Sequence, residues 1–324
     1  MGTFTVLGDA ELSQLAEAFG LGAVERYASI AAGTINSNFE LVTESGRYFV
    51  RVNEGKAEVD VGWEARLVTA LAAAGVATPP SLVALDGRPY APLANRHARW
   101  VSVFPWRAGS HLRPDDVTPE LAGRFGEGLA QLHVAGLALP SAWRRGSIYD
   151  HDHLVGRFEK IARVNDPALA KATQIIEEEL NLAADVAIIR RRATTGIIHG
   201  DLFRDNVLWD GGHISAILDF EQASGGSLAY DLAVCINDWC WTDAPRLDLA
   251  RALIAGYQRV RPLADGDREA LPYELRAAAM RFTITRITDV YLARVANPDK
   301  DFRAFLARVE AWRGPSLGQL TSTL

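Results

Sequence analysis

The chain has 324 residues, 48% of them hydrophobic and 23% charged, and a formal net charge of −6. This length allows two domains with sizeable cores, and the acidic balance argues against a nucleic-acid partner, which would require clustered Lys and Arg. Because the chain has no run near the roughly 20 apolar residues of a membrane span, and no basic segment followed by an apolar one at its start, we expect a cytoplasmic protein without a membrane partner.

The first elements are a short helix, predicted over Asp9–Phe19, and two alternating apolar stretches that enclose the segment Ile30–Phe39. Such a segment is typical of a loop between two paired strands. Among its donors, those of Gly33, Asn36, Ser37 and Asn38 are the candidates for binding a phosphate group. Since only one of its residues is glycine, the segment by itself is better explained as an ordinary hairpin turn.

A strand and a helix then supply a candidate ion pair. Arg47–Val52 alternates as a strand that carries Arg51, and Val59–Ala74 has the pattern of a helix that carries Glu64. Glu64 is the preferred partner for Arg51, and Glu58 is the alternative. Either glutamate could instead be an ordinary solvated helix residue.

A boundary between two lobes is predicted at the segment Arg99–Trp106. It begins as a strand and reaches Pro105, which cannot donate to a strand ladder, so the chain should leave the sheet there. We therefore predict an N-terminal lobe over residues 1–104 and a C-terminal lobe over residues 105–324. Seven segments of the second lobe have helical apolar spacing: Val117–Gly136, Asp150–Val164, Pro167–Arg192, Leu228–Trp241, Arg246–Arg259, Asp267–Ala296 and Phe302–Trp312.

The most informative motif is His199-Gly200-Asp201-Leu202-Phe203-Arg204-Asp205-Asn206, which is followed by Ile217-Leu218-Asp219-Phe220. Asp201 opens a loop after a short apolar run, and Asn206 comes five residues later. Asp210-Gly211-Gly212 is a turn signal between two short strands, which should pair and bring Asn206 beside Asp219.

These residue types suit phosphoryl transfer. A carboxylate can accept the proton of an attacking hydroxyl, while the hard oxygens of an Asn and an Asp can hold Mg²⁺ against nucleotide phosphates. Asp201 is therefore the candidate catalytic residue, and Asn206 and Asp219 are the candidate metal ligands. The alternative is that these residues are ordinary turn and cap positions.

The motif resembles the aminoglycoside phosphotransferase-like superfamily, whose members carry HGD followed by an Asn and an Asp and phosphorylate small molecules. Protein kinases have HRD and DFG at these places, and the chain has no long segment after Glu221 that could serve as an activation loop. The resemblance implies a two-lobed, α+β, protein kinase-like fold that uses ATP and Mg²⁺. It also implies that Arg51 contacts the phosphates with support from Glu64, and that the backbone near Val103 and Phe104 binds adenine.

Three flanking segments are similar to the homoserine kinase branch of that superfamily: Ala32–Phe39, Ala229–Cys240 and Gly256–Leu263. This resemblance implies phosphorylation of the side-chain hydroxyl of homoserine, a step of threonine biosynthesis, with Asn237 and Asp238 at the acceptor pocket. Arg281, Thr285 and Thr288 form a polar stripe on a predicted helix, and Arg281 could bind the carboxylate of the acceptor. A solvent-facing stripe is the alternative.

Other functions stay open at this point. The catalytic motif is shared by kinases of choline or ethanolamine, methylthioribose and aminoglycosides, so it fixes the reaction class only. A nucleotide-binding pseudokinase that serves as a scaffold is a hypothesis of a different kind, but it predicts the loss of a chemical residue, and none is missing. The sequence does not decide between a monomer and a homo-oligomer.

Overall fold

The computed structural model of the chain describes residues 5–30, 36–93 and 99–322. It divides into two compact units. The first comprises residues 1–109 together with the short return segment 215–221, and the second comprises residues 110–214 and 222–324.

The first unit is built around a five-stranded sheet with the strand order β1-β2-β3-β5-β4. Its elements in chain order are α1 (Asp9–Ala18), β1 (Val24–Ile30), β2 (Ser37–Thr43), β3 (Gly46–Asn53), α2 (Glu58–Ala73), β4 (Ala91–Pro92) and β5 (Trp100–Pro105). The strand pairs are all antiparallel.

The side chains of β3 alternate between the two faces of this sheet, and the two faces have different environments. Val50 and Val52 are fully buried in the apolar core, which α1 contributes to through residues such as Leu15. Arg51 lies between the two valines and therefore points to the opposite face, since successive side chains of a strand alternate. There it meets Glu64 of α2.

The second unit is mostly helical. Its helices are α3 (Pro119–Ala138), α4 (His151–Ala162), α5 (Ala170–Asp185), α6 (Ala187–Arg190), α7 (Leu228–Trp239), α8 (Leu247–Val260), α9 (Asp265–Arg286), α10 (Phe302–Trp312) and α11 (Pro315–Thr321). Four short strands accompany them: β6 (Thr195–Ile198), β7 (Val207–Asp210), β8 (His213–Ile217) and β9 (Ser224–Ser227). β6 pairs with β9 and β7 with β8, and the chain passes into the first unit within β8.

Helices α3 and α8 approach each other through glycine. A Cβ atom at Gly256 would lie 1.9 Å from the carbonyl oxygen of Gly123, and one at Gly126 would lie 2.1 Å from that of Leu253. Any larger residue would force the two helices apart. This close contact brings side chains near the C-terminal ends of α3 and α8 within hydrogen-bonding distance of each other.

The predicted fold class is confirmed, because a β-rich unit is followed by a mostly helical one. The predicted helix Pro167–Arg192 is wrong in its continuity: a 3₁₀ turn precedes α5, and Val186 separates α5 from α6. The predicted helix Asp267–Ala296 ends as α9 at Arg286 and continues only as a π-helical turn, Ile287–Tyr291. No helix in the described ranges is long and apolar enough to cross a membrane.

Candidate active site

The loop 199–206, which carries the candidate catalytic residue Asp201 and is called the catalytic loop below, begins where β6 ends. One buried carboxylate holds its backbone. Asp231 on α7 accepts the backbone N–H of His199 and that of Gly200, each at 2.8 Å. Gly200 adopts a left-handed conformation with φ of +78°, which glycine tolerates. Burial opposes ionisation, but hydrogen bonds from His133 and from the loop backbone hold the pKa of Asp231 below its usual value. The carboxylate of Asp231 therefore accepts hydrogen bonds from His133 and from the backbone N–H groups of His199 and Gly200.

A chain of buried hydrogen bonds extends from Asp231 to α8. Nε2 of His133 lies 3.0 Å from Oδ2 of Asp231, and Nδ1 of His133 lies 2.7 Å from the hydroxyl of Tyr257. Nη1 of Arg261 donates to the same hydroxyl at 3.1 Å. Burial raises the pKa of Tyr257, which keeps its proton available for donation. Each contact of this chain has one donor and one acceptor if Arg261 donates to Tyr257, Tyr257 to Nδ1 of His133, and Nε2 of His133 to Asp231.

Asp201 contacts an arginine that is distant in sequence. Nη1 of Arg281 on α9 lies 3.5 Å from Oδ1 of Asp201, and Nη2 donates to the side-chain oxygen of Gln222. The guanidinium carbon of Arg281 stacks 3.9 Å from the ring centre of Tyr149. The Arg281 side chain is only 3% exposed, whereas that of Asp201 is 24% exposed. The alternative of a solvent-facing stripe for Arg281 is therefore wrong, and Asp201 keeps a solvent-accessible carboxylate next to a fixed positive charge.

Asn206 is oriented by the loop that precedes it. Its side-chain nitrogen donates to the backbone oxygen of Asp201 at 2.8 Å. Since the nitrogen is used in this bond, the side-chain oxygen is the atom that could coordinate a cation.

The ion pair predicted in the first unit is present. Nη2 of Arg51 lies 2.6 Å from Oε1 of Glu64, and Nη1 lies 3.4 Å from Oδ1 of Asp219. Burial opposes the charge, but the carboxylates of Glu64, Asp219 and Glu221 raise the pKa of Arg51 above its usual value. Glu58 instead accepts the hydroxyl of Tyr90 at 2.9 Å.

Asp219 is in an unusual position. Its backbone is left-handed, with φ of +60°, a conformation that few residues other than Gly, Asn and Asp adopt. Burial and the neighbouring carboxylate of Glu221 raise the pKa of Asp219 to about 7, although Arg51 opposes the shift. The side chain is nevertheless 40% exposed, so a ligand can reach it.

Lys56 and Glu221, neither of which was predicted as a site residue, complete the ion-pair network of Arg51, Glu64 and Asp219. Nζ of Lys56 lies 2.7 Å from Oε2 of Glu221 and 3.4 Å from Oε2 of Glu64. Glu221 also accepts the side-chain nitrogen of Asn36 at 2.8 Å. Glu221 stands where protein kinases have the Gly of DFG, and that departure was the only sequence signal for it.

The predicted phosphate loop is described only in part. Gly33 lies outside the described residues, and Asn38 stands opposite Arg51 in the β2–β3 pairing. Ser37 is fully buried, and its hydroxyl donates to Glu54 at 2.8 Å, so its side chain faces the interior of the unit.

The predicted adenine-binding residues lie within β5. The carbonyl of Val103 accepts the backbone N–H of Leu82 at 2.8 Å, so an adenine contact there would have to share that oxygen. The ring of Phe104 lies 5.5 Å from the guanidinium carbon of Arg51.

Asn237 and Asp238 on α7, both predicted at the pocket for the acceptor substrate, make contacts that differ from this prediction. The side-chain nitrogen of Asn237 donates to the carbonyls of Ala233 and Leu275, and its oxygen accepts the indole N–H of Trp312 at 2.8 Å. Asn237 is fully buried, and both amide hydrogens are used, so the acceptor role assigned to it is corrected to a packing role. Asp238 accepts the backbone N–H and the guanidinium of Arg204, which follows Asp201 in the catalytic loop.

Residues 26–263 match the phosphotransferase enzyme family. The chain is similar to a homoserine kinase of Methylobacillus flagellatus, with 32% identity over 92% of this chain and 90% of that protein. It is also similar to a homoserine kinase of Methylobacterium radiotolerans, with 34% identity over 89% of this chain and 88% of that protein.

Solved structures support the same fold. An amicoumacin kinase in complex with AMP-PNP and Ca²⁺ superposes with a TM-score of 0.71 at 14% identity, covering 97% of this chain and 94% of that one. A spectinomycin phosphotransferase in complex with ADP gives a TM-score of 0.68 at 14% identity, covering 98% and 99%. At these identities the likeness concerns the fold alone.

Proposed function

The chain belongs to the phosphotransferase enzyme family, and we propose that it transfers the γ-phosphoryl group of ATP to the side-chain hydroxyl of L-homoserine. The observation that carries this proposal is the half-buried but solvent-accessible carboxylate of Asp201, held on an anchored loop beside Arg281. Relatives that match nearly the full chain are named homoserine kinase, which favours this acceptor.

Asp201 orients the acceptor hydroxyl and receives its proton as the oxygen attacks phosphorus. The neighbouring guanidinium of Arg281 lies 3.5 Å from this carboxylate and limits its rotation. Asp238 and Asp231 act through the backbone: each accepts N–H groups of the catalytic loop and fixes where Asp201 stands. Catalysis in this proposal is mainly positioning and charge stabilisation.

The N-terminal lobe, residues 1–104 in our proposal, clamps the nucleotide. Arg51 contacts the phosphates and is held by Glu64, while Lys56 adds a second positive charge to the same network. The segment 33–38, which includes Gly33, Asn36 and the first two residues of β2, covers the phosphates. Adenine lies near Val103 and Phe104, where the ring of Phe104 offers an apolar surface.

Asp219 and Asn206 would hold Mg²⁺. The ion-pair network around Asp219 contains three carboxylates, those of Asp219, Glu64 and Glu221, but only two cationic side chains, Arg51 and Lys56. The network therefore has an excess of negative charge, which suits a bound cation. Hard carboxylate and amide oxygens are the donors that Mg²⁺ prefers. When bound, the ion neutralises phosphate charge, while the residues of the chain orient the two substrates.

The C-terminal lobe, residues 105–324 in our proposal, binds the acceptor. Arg281 remains a candidate for the acceptor carboxylate, whereas Asp238 acts on the catalytic loop through Arg204. A cytoplasmic location, where ATP and amino-acid intermediates meet, belongs to the same proposal.

A coupled assay of ADP release tests the acceptor. Homoserine, serine, threonine, choline, methylthioribose and an aminoglycoside are compared under identical conditions, and homoserine should give the highest kcat/KM. If choline or an aminoglycoside is turned over faster, the kinase activity stands and homoserine is the wrong acceptor.

A further inference from the structure

Three arginines and three phenylalanines gather beside the catalytic loop in the second unit. We call them the arginine–phenylalanine cluster: Arg204, Arg286, Arg308, Phe203, Phe282 and Phe305. The rings of Phe203, Phe282 and Phe305 have centres 4.6 to 5.8 Å apart. The guanidinium carbons of Arg286 and Arg308 each lie 4.4 Å from the centre of the Phe305 ring.

The cluster has more positive than negative charge. Asp238 pairs with Arg204 at 3.0 Å. Within the described ranges, neither Arg286 nor Arg308 forms an ion pair; Arg286 donates to the carbonyl of Asp301 at 3.1 Å and Arg308 to that of Asn237 at 2.6 Å. Two guanidinium charges are thus held mainly by carbonyl oxygens and aromatic faces.

One donor of the cluster also lacks an acceptor. Nη1 of Arg204 is buried and has no hydrogen-bond partner among the described residues. A buried charged donor without an acceptor is unfavourable, and it points to a ligand that supplies one. Burial lowers the pKa of Arg286, and burial together with Arg286 and Arg204 lowers that of Arg308 to about 10, against the effect of Asp238. An anion placed among these side chains would relieve both effects.

The cluster lies close to the catalytic carboxylate. Phe203 and Arg204 follow Asp201 by two and three residues, and Asp201 is among the charges that act on Arg286. An acceptor whose hydroxyl meets Asp201 could therefore reach these arginines with its other polar groups.

We propose that the arginine–phenylalanine cluster, in place of Arg281, binds the carboxylate of the acceptor, with Arg286 as its principal ligand. Arg281 then orients Asp201, which it contacts at 3.5 Å. This inference rests on the proposed function, and it names the feature that selects a carboxylated acceptor. Guanidinium groups bind carboxylates through paired hydrogen bonds, whereas excess positive charge repels choline and aminoglycosides, which are cations. Arg286 is half-buried, whereas Arg308 is buried, so an entering ligand can reach Arg286.

Paired substrates test this assignment. L-Homoserine is compared with 3-aminopropan-1-ol, which has the same amine and hydroxyl but no carboxylate. Arg286→Gln should lower kcat/KM about 100-fold for homoserine, the loss expected for a charged hydrogen bond, and less than about 3-fold for aminopropanol. Arg286→Lys, which keeps the charge, should fall between wild type and Arg286→Gln. An equal loss for both substrates would overturn the assignment.

Arg303→Gln is the matched control, because Arg303 lies on α10, is 54% exposed and pairs with Asp301. It should leave both substrates unchanged. Thermal unfolding of each variant shows whether it is folded.

Calorimetric binding of L-homoserine, with Mg²⁺ and a non-hydrolysable ATP analogue, separates the two proposals. The wild-type protein could bind homoserine without phosphorylating it, and Arg286→Gln could abolish that binding. This result would retain the carboxylate site and discard the proposed function. Absence of wild-type binding would discard both.

Discussion

Nε2 of His133 lies 3.0 Å from Oδ2 of Asp231, and both side chains are fully excluded from solvent. Since Asp231 also accepts two backbone N–H groups of the catalytic loop, His133 helps to fix the loop from a position that solvent does not reach. We therefore interpret His133 as a residue that positions the catalytic loop through Asp231.

Two amide replacements of His133 separate its contacts. Glutamine places its amide near Nε2 and can still donate to Asp231, whereas asparagine places its amide near Nδ1 and cannot. His133→Asn should lower kcat about 10-fold, equivalent to roughly 1.4 kcal/mol, with little change in KM for ATP, and His133→Gln should largely restore it. Amide hydrogen exchange at His199 and Gly200 should speed up only in the asparagine variant. Equal behaviour of the two variants would contradict this role.

Asp201→Asn should lower kcat by about 100-fold or more, because removal of a general base costs about 10² to 10⁴. Nucleotide affinity should change little, since the carboxylate acts on the acceptor hydroxyl. Steady-state kinetics and equilibrium nucleotide binding check the two parts. Near-normal turnover would exclude Asp201 as the base.

Asp219 can be tested with two substitutions that differ in backbone tolerance. Asp219→Asn and Asp219→Ala both remove a charged metal ligand, so nucleotide affinity should lose most of its dependence on Mg²⁺ in each. Only alanine should also lower the thermal unfolding temperature, because the left-handed backbone of this position costs a residue such as Ala about 1 to 2 kcal/mol. Undiminished Mg²⁺ dependence in either variant would argue against Asp219 as a ligand.

Arg51 contacts Glu64 and Asp219 with different nitrogens of one guanidinium group. Lysine has a single ammonium and cannot span both carboxylates, so Arg51→Lys should raise KM for ATP about 10-fold in spite of its conserved charge. Arg51→Met should raise it further. Nucleotide titrations of the three proteins provide the measurement, and a lysine variant equal to wild type would show that charge alone matters.

The length of the acceptor gives a further test. L-Serine carries the same ammonium and carboxylate as homoserine but a hydroxyl one methylene nearer, so it should bind measurably and react poorly, because its oxygen falls short of the phosphorus. Competition binding and ADP release distinguish the two properties. Turnover of serine equal to that of homoserine would show that the site does not discriminate by the distance between the charged groups and the hydroxyl of the acceptor.

Local patterns were sufficient for much of the fold. The ends of α1, α2 and α10 fall within about one residue of the predicted ones, because apolar spacing and capping are encoded locally. The β7–β8 pair was predicted from its glycine turn. The break at Val186 was missed because helical periodicity continues on both sides of it.

The contacts within the site could not be predicted in the same way. Arg281 and Asp201 are 80 residues apart, and Asn36 and Glu221 are 185 apart. Spacing places a residue on one face of its own element, but which distant side chain meets that face depends on tertiary packing. For the same reason Asn237 was expected at the acceptor pocket, although its partners on α9 and α10 bury it.

The return segment 215–221 has a consequence for how the protein is made. The first unit includes these residues, yet more than one hundred residues of the second unit separate them from residue 109 in the chain. A ribosome that has finished residue 109 has therefore not yet made Asp219 or Glu221, the partners of Arg51 and Lys56. At synthesis rates of about 5 to 20 residues per second, the two cations wait for several seconds or more without these partners. During translation the N-terminal unit cannot be completed before residues 110–214, about half of the second unit, have emerged.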